Sequence, residues 1–220
     1  MKIRLATLVA ATALVAAPFA VAKQAGAAPA VTAPADAAST ALTPAQRDTL
    51  LKEVAASMEK VKTASGRFEQ LSPDFTVVTG RFALSRPGKV RFEYDDPSPL
   101  LIVSNGTTVA MQDSELETTD RVPLGSTPLA LLLDDQLDFK TEAEIVDVIQ
   151  TGDRVGVTLR DKSGEMDGTL TLIFAGAKRD LVGWRAVDGA GNMTSVELSD
   201  VQTGKKLSPR LFTVKDFEDE

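Results

Sequence analysis

The sequence predicts a mainly β fold, an antiparallel meander of about eleven strands curled toward a barrel, with two helices. Three observations carry this. Runs with strand character follow one another closely between residues 66 and 198. Turns rich in Gly, Asp and Asn separate many of them, as at Thr151-Gly152-Asp153, Asp161 to Gly164 and Asp188 to Asn192. Helical character in the mature chain is confined to two stretches.

Taken in order, the chain opens with Lys2 and Arg4, an apolar run from Leu5 to Val21, and the small-residue site Ala20-Val21-Ala22. This pattern reads as a signal peptide over residues 1–22. Residues 23–42 are a low-complexity Ala/Pro stretch, expected to be a disordered leader. The folded domain is expected over 43–220. In Thr43-Pro44-Ala45-Gln46, Thr43 is placed to cap a helix, Pro44 suits its first turn and Gln46 closes a capping box. Leu50, Leu51, Val54, Ala55, Met58 and Val61 then form one apolar stripe, which predicts a helix ending near Ala64.

From Gly66 the period becomes two. Strands are predicted at Gly66 to Leu71, Phe75 to Ser85, Lys89 to Tyr94, Leu100 to Ser104, Thr107 to Gln112 and Glu115 to Val122. Asn105-Gly106 between two apolar runs is a two-residue hairpin signal. Ser126 to Leu133 reads as a short, capped and almost wholly apolar helix. It is either a core plug or a lid over a hydrophobic cavity, and composition does not separate the two. Strands resume at Ile145 to Gln150, Arg154 to Arg160, Gly168 to Phe174, Leu181 to Val187 and Met193 to Leu198. The interior candidates are mostly Val, Leu, Ile and Phe, with Met111 and Met193.

Composition narrows the function. There is no histidine and no cysteine, which removes Ser-His-Asp and Cys-His constellations, disulfides and the commonest transition-metal ligands. Asp95-Asp96, Asp134-Asp135 and the Glu218 to Glu220 tail lack metal-ligand or acid-base spacing and read as solvated charges. The formal net charge of −7 argues against nucleic acid, whose phosphates need a basic stripe. A non-enzyme without metal or cofactor is expected.

One segment stands out. In Gly80 to Tyr94, alternate positions from Phe82 are Phe82, Leu84, Arg86, Gly88, Val90, Phe92 and Tyr94. Arg86 is therefore aimed where apolar side chains go, and a cation there needs a partner or a purpose. The plain alternative is a strand-end arginine that reaches solvent beside Pro87.

The ordered pieces Gly66-Arg67-Phe68-Glu69-Gln70, Gly80-Arg81-Phe82, Arg86-Pro87-Gly88-Lys89-Val90-Arg91-Phe92-Glu93-Tyr94, Pro99-Leu100-Leu101-Ile102-Val103 with Asn105-Gly106, Thr127-Pro128-Leu129 and Leu181-Val182-Gly183-Trp184 resemble the outer-membrane lipoprotein carriers, the LolA family of Gram-negative bacteria. The Arg-Pro-Gly-Lys version looks most like carriers of alphaproteobacteria. The resemblance spans about residues 43 to 217. It implies an unclosed antiparallel β-barrel of eleven strands, covered by helices that act as a lid. It implies a periplasmic chaperone, a monomer, that takes triacylated lipoproteins from an inner-membrane ABC lipoprotein-releasing transporter to an outer-membrane lipoprotein acceptor. That acceptor carries a lipid on an N-terminal cysteine, so the absence of cysteine points to the carrier.

By the same resemblance Arg86 matches a latch that bonds lid carbonyls. Val90 and Phe92 fall on cavity-lining positions, and their strand face adds Phe82, Leu84 and Tyr94 to the expected acyl-chain cavity. The matching lid is Thr127 to Leu133, with Pro128, Leu129, Leu131 and Leu132 on the lid helix. At Val90 other members carry a bulkier aromatic. A periplasmic carrier of another lipid, or a non-catalytic β-rich interaction domain, are the alternative readings.

Overall fold

The computed structural model describes residues 42–134, 143–162, 167–214 and 216–217. Contacts divide the chain into two units, Met1–Ala37 and Ala38–Glu220, and every described residue belongs to the second. The expected signal peptide and almost all of the leader lie outside the described residues. The elements are helix α1 (Pro44–Lys60), strands β1 (Thr63–Leu71), β2 (Val77–Ser85), β3 (Lys89–Tyr94), β4 (Leu100–Asn105), β5 (Thr108–Asp113) and β6 (Thr118–Pro123), and a short helix α2 (Leu129–Leu133). Strands β7 (Ala143–Thr151), β8 (Arg154–Asp161), β9 (Gly168–Ala175), β10 (Asp180–Asp188) and β11 (Met193–Thr203) complete the sheet.

All eleven strands form one antiparallel sheet in the order β6-β5-β4-β3-β2-β1-β11-β10-β9-β8-β7. The chain meanders from β1 to β6, crosses over, and meanders from β7 back to β11, which pairs with β1. The two edges are β6 and β7, consecutive in sequence, so the sheet is unclosed and α2 lies on the segment that links its free edges.

Helix α1 begins as its sequence dictates. Gln46 N–H donates to Thr43 Oγ1 at 3.3 Å, and Thr43 N–H donates to Gln46 Oε1 at 2.9 Å. Its apolar stripe buries Leu50, Val54 and Met58, with Leu51, Ala55 and Val61 packed beside them. The helix stops at Lys60, four residues before the expected Ala64, because Ala64 is taken into the sheet, opposite Leu84 on one side and Thr203 on the other.

Strand β1 begins at Thr63, before the expected Gly66, and β11 runs to Thr203, beyond the expected Leu198. Three further differences arise through local turn chemistry. Phe75 is not in β2. Asp74 Oδ1 accepts the Thr76 N–H at 3.0 Å, and Phe75 sits at φ 65, 80% exposed. Strand β6 starts at Thr118 and not Glu115, because Asp113 Oδ1 accepts the N–H groups of Glu115 and Leu116 at 2.9 and 3.0 Å. The β4–β5 turn closes one residue later than Asn105-Gly106 suggests. Asn105 Oδ1 accepts from Thr107 and Thr108 at 3.0 Å, with Gly106 at φ 110. Met193, expected inside, is 38% exposed at the start of β11.

The core lies between the concave sheet face and the helices. Phe68, Phe82, Phe92, Val157, Leu172 and Phe174 from the sheet join Leu50, Val54 and Met58 of α1 and Leu132 and Leu133 of α2 in one cluster. On the other face, a 3₁₀ turn at Pro209–Phe212 packs against β3 and β4. Arg121 pairs there with Asp216 at 2.6 Å.

Candidate lid and latch site

Strands β2 and β3 are joined by Arg86-Pro87-Gly88, and the register sets Leu84 opposite Val90 and Phe82 opposite Phe92. A three-residue turn preserves side-chain parity, so Phe82, Leu84, Arg86, Gly88, Val90 and Phe92 are all buried while Arg81, Lys89 and Glu93 are exposed. Arg86 is thus in the hairpin turn beyond β2, not inside a strand, and only 9% of it is exposed.

A guanidinium so placed must find acceptors, and it finds them at the ends of two helices. The last carbonyls of a helix lack intrahelical donors and carry the negative end of its dipole. Arg86 Nη1 donates to Met58 O and to Val61 O, the latter at 3.4 Å, in the last turn of α1 and its cap. Arg86 Nη2 donates to Leu132 O of α2 at 2.9 Å and lies 3.5 Å from Met58 Sδ. The backbone of the same turn repeats the pattern: Arg86 N–H donates to Lys62 O at 2.8 Å, and Gly88 N–H to Leu133 O at 3.0 Å. One turn therefore caps the C-terminal ends of α1 and α2 together.

The turn itself is held from behind. Ser104, fully buried on β4, donates its hydroxyl to Gly88 O at 2.6 Å and accepts from Gly106 N–H at 3.3 Å. Gly88 sits at φ +74, and a Cβ there would lie 2.8 Å from Gly106 Cα, so any other residue forces the backbone to shift. The Arg86–Pro87 bond is cis. The sequence pattern singles out neither Ser104 nor the α1 carbonyls. A serine one residue before the Asn105-Gly106 turn is the only mark that this support leaves there.

Below the turn, the concave face carries an aromatic cluster. Phe68 meets Phe92 edge-on at 5.4 Å and Tyr94 at 5.0 Å, and Trp184 meets Phe92 at 5.8 Å. Tyr94 donates to Gln70 Oε1 at 2.8 Å, and burial pushes its phenol up to about 12. Val90 is fully buried between the helices and the sheet.

Helix α2 departs in one respect from the expected capped helix. A 3₁₀ turn at Leu124–Ser126 precedes it, and the Thr127 hydroxyl donates back to Leu124 O at 2.8 Å instead of capping α2. Leu132 and Leu133 are buried, while Pro128, Leu129 and Leu131 are half-buried. Among the described residues no group of three or more Asp or Glu is arranged to hold a metal ion.

An unclosed antiparallel sheet with an apolar concave face, roofed by helices whose ends share one arginine, defines a helix-covered half-barrel. The model of the family described as outer membrane lipoprotein carrier protein LolA matches residues 59–215. The chain belongs to that family. It is 31% identical over 187 residues to the outer-membrane lipoprotein carrier protein of Azotobacter vinelandii, covering 80% of this chain and 88% of that one. It is 29% identical over 184 residues to that of Pseudomonas paraeruginosa, covering 79% and 87%. Among solved structures it is similar to a LolA superfamily protein from Nitrosomonas europaea, at TM-score 0.43 and 8% identity over 74% of this chain and 97% of that one.

Proposed function

We propose that the chain is a non-catalytic periplasmic carrier. It takes up the acyl chains of triacylated lipoproteins released by an inner-membrane ABC transporter and yields them to an outer-membrane acceptor. The observation that carries this reading is the bonding of Arg86 to carbonyls of both helices that roof the apolar concave face. Family membership supports the same role.

The physical need is plain. Each methylene removed from water is worth about 0.8 kcal/mol, so two or three long acyl chains amount to tens of kcal/mol. No such molecule crosses water at a useful rate uncovered. An empty carrier has the complementary problem, an apolar face that must itself be covered. Here α1 and α2 cover it, with Phe82, Leu84, Val90, Phe92 and Tyr94 as the acyl-chain surface and Pro128, Leu129, Leu131 and Leu132 as the lid. Arg86 favours the closed state by donating to Val61 O and Leu132 O and by adding a second donor at Met58 O, which also accepts from Val61 N–H at 3.1 Å. Acyl chains displace α2 and occupy its place, and the closing tendency helps to expel them at the acceptor. Such a switch works only if the two states differ by a few kcal/mol.

The test is recovery of the chain from periplasm with bound triacylated lipoprotein, followed by transfer to acceptor-bearing membranes. Recovery with a glycolipid or free phospholipid and no lipoprotein would assign another cargo. Recovery with no acyl ligand, together with no binding of a hydrophobic probe, would leave an interaction domain.

A further inference from the structure

Charge is sorted between the two ends of the sheet. At the end away from Arg86, the connectors carry Asp74, Asp95, Asp96, Glu115, Glu117 and Asp167 against Lys162, among the described residues. At the Arg86 end they carry Lys62, Lys178, Lys205 and Lys206 against Asp134 and Asp153, with Arg179 paired to Glu53 of α1 at 2.9 Å. A chain of net charge −7 therefore presents a cationic end, and it is the end that holds the latch.

Four cations cluster beside the latch. Gly204 N–H donates to Thr63 O at 3.0 Å, which sets Lys205 and Lys206 next to the α1–β1 junction and its Lys60 and Lys62. All four lysines are exposed. The junction is the same backbone that Arg86 grips, through Lys62 O and Val61 O. Glu59 is the adjoining acid on α1.

We propose that Lys60, Lys62, Lys205 and Lys206 form a docking surface for a bilayer containing anionic phospholipid, which turns the latch end toward the membrane. Lysine chemistry favours this occupant over an acidic protein. Protein interfaces are enriched in aromatic residues and Arg and depleted in Lys, whereas compact ammonium groups suit a diffuse anionic surface. Each lysine near such a surface strengthens binding roughly fivefold, and the effect decays within a Debye length of about 10 Å at 0.1 M salt. The acidic far end adds orientation, since the same field repels it. The surface lies on the last residue of α1 and on connectors, and its four lysines are exposed, outside the buried core, so it acts on where the carrier sits and not on what it holds.

The experiment is co-sedimentation of the exported, processed chain with vesicles, without lipoprotein, so its outcome is separable from that of the cargo reading. Vesicles of phosphatidylcholine with 30% phosphatidylglycerol are compared with phosphatidylcholine alone, at 20 and 500 mM NaCl. Binding is expected only to the anionic vesicles at low salt. The quadruple Gln variant of the four lysines is expected to lose several hundredfold, and the Lys205→Gln/Lys206→Gln pair roughly 25-fold. A control with Lys52, Arg81, Lys162 and Arg185 changed to Gln, equal in net charge, retains binding. The proposal is overturned if wild type ignores anionic vesicles or if the control loses as much as the quadruple variant. It is equally overturned if the chain is retained on immobilised polyglutamate but not by vesicles, which would assign an acidic protein.

Discussion

Arg86 Nη2 donates to the carbonyl of Leu132 at 2.9 Å across 46 residues of sequence, and Nη1 of the same side chain reaches Met58 O of the other helix. A buried cation is stable here because two helix ends bring their spare carbonyls to it. Helix α2 is therefore held in place by a turn of the sheet as well as by its own apolar packing.

Arg86→Leu is expected to fold, with a loss of about 2 kcal/mol of closed-state stabilisation, chiefly from Leu132 O and Val61 O losing the guanidinium as donor. By the same amount, acyl binding tightens roughly thirtyfold, and transfer to an acceptor slows. Stopped-flow transfer between purified carrier and acceptor reads this; wild-type transfer by the variant would sink the latch.

Leu84→Glu and Phe92→Asp put a carboxylate on the proposed acyl surface. Both should abolish uptake of a brominated fatty acid while far-UV circular dichroism stays unchanged. Trp184, the single tryptophan, lies 5.8 Å from the Phe92 ring and serves as the reporter. Bromine quenching should be strong in wild type and absent in both variants. Equal quenching in either would remove that residue from the site.

The chain has one tyrosine, so its titration can be followed without overlap at 295 nm. Tyr94 should ionise near 12 in the folded protein, against 10.0 for an ordinary phenol. The raised folded value means its contribution is complete below pH 10 and is lost as pH rises toward 12. Stability should fall there by about 1.4 kcal/mol per pH unit beyond that of Tyr94→Phe. Identical chemical-denaturation profiles for the two proteins across that range would contradict the assignment.

Gly88→Ala forces a Cβ toward Gly106 Cα at φ +74. A loss of about 2 kcal/mol is expected, seen as a lower Tm, together with weaker retention of the closed lid. Gly152→Ala provides the comparison, since it also has positive φ but open space around its Cβ. If both lower Tm equally, strain alone accounts for the effect and Gly88 has no special role at the turn.

The strand series was legible where buried-face alternation survives, as in β2, β3, β8 and β9, where Leu170, Leu172 and Phe174 of β9 are all buried. The start of α1 was legible from a capping box whose four groups are local. What escaped were boundaries set by side chains bonding their own backbone. Asp74 and Asp113 pull Phe75 and Glu115 out of strands that their hydropathy and spacing suggested. Parity identified Arg86 as inward but could not name the α1 carbonyls, since Met58 is 28 residues away and no periodicity links them. The packing of Phe212 behind β3 and β4 was also invisible, because an isolated Leu-Phe pair after the last strand carries no periodic pattern.

The pairing of β1 with β11 carries a consequence for how the protein comes into being. The first and last strands sit side by side at the centre of the sheet, so neither half can complete its hydrogen bonding until nearly the whole chain is present. Contacts so distant in sequence close slowly, because loop entropy must be paid first. Each meander pairs its own strands between sequence neighbours, but the central seam that joins the two halves closes only when the final strand arrives.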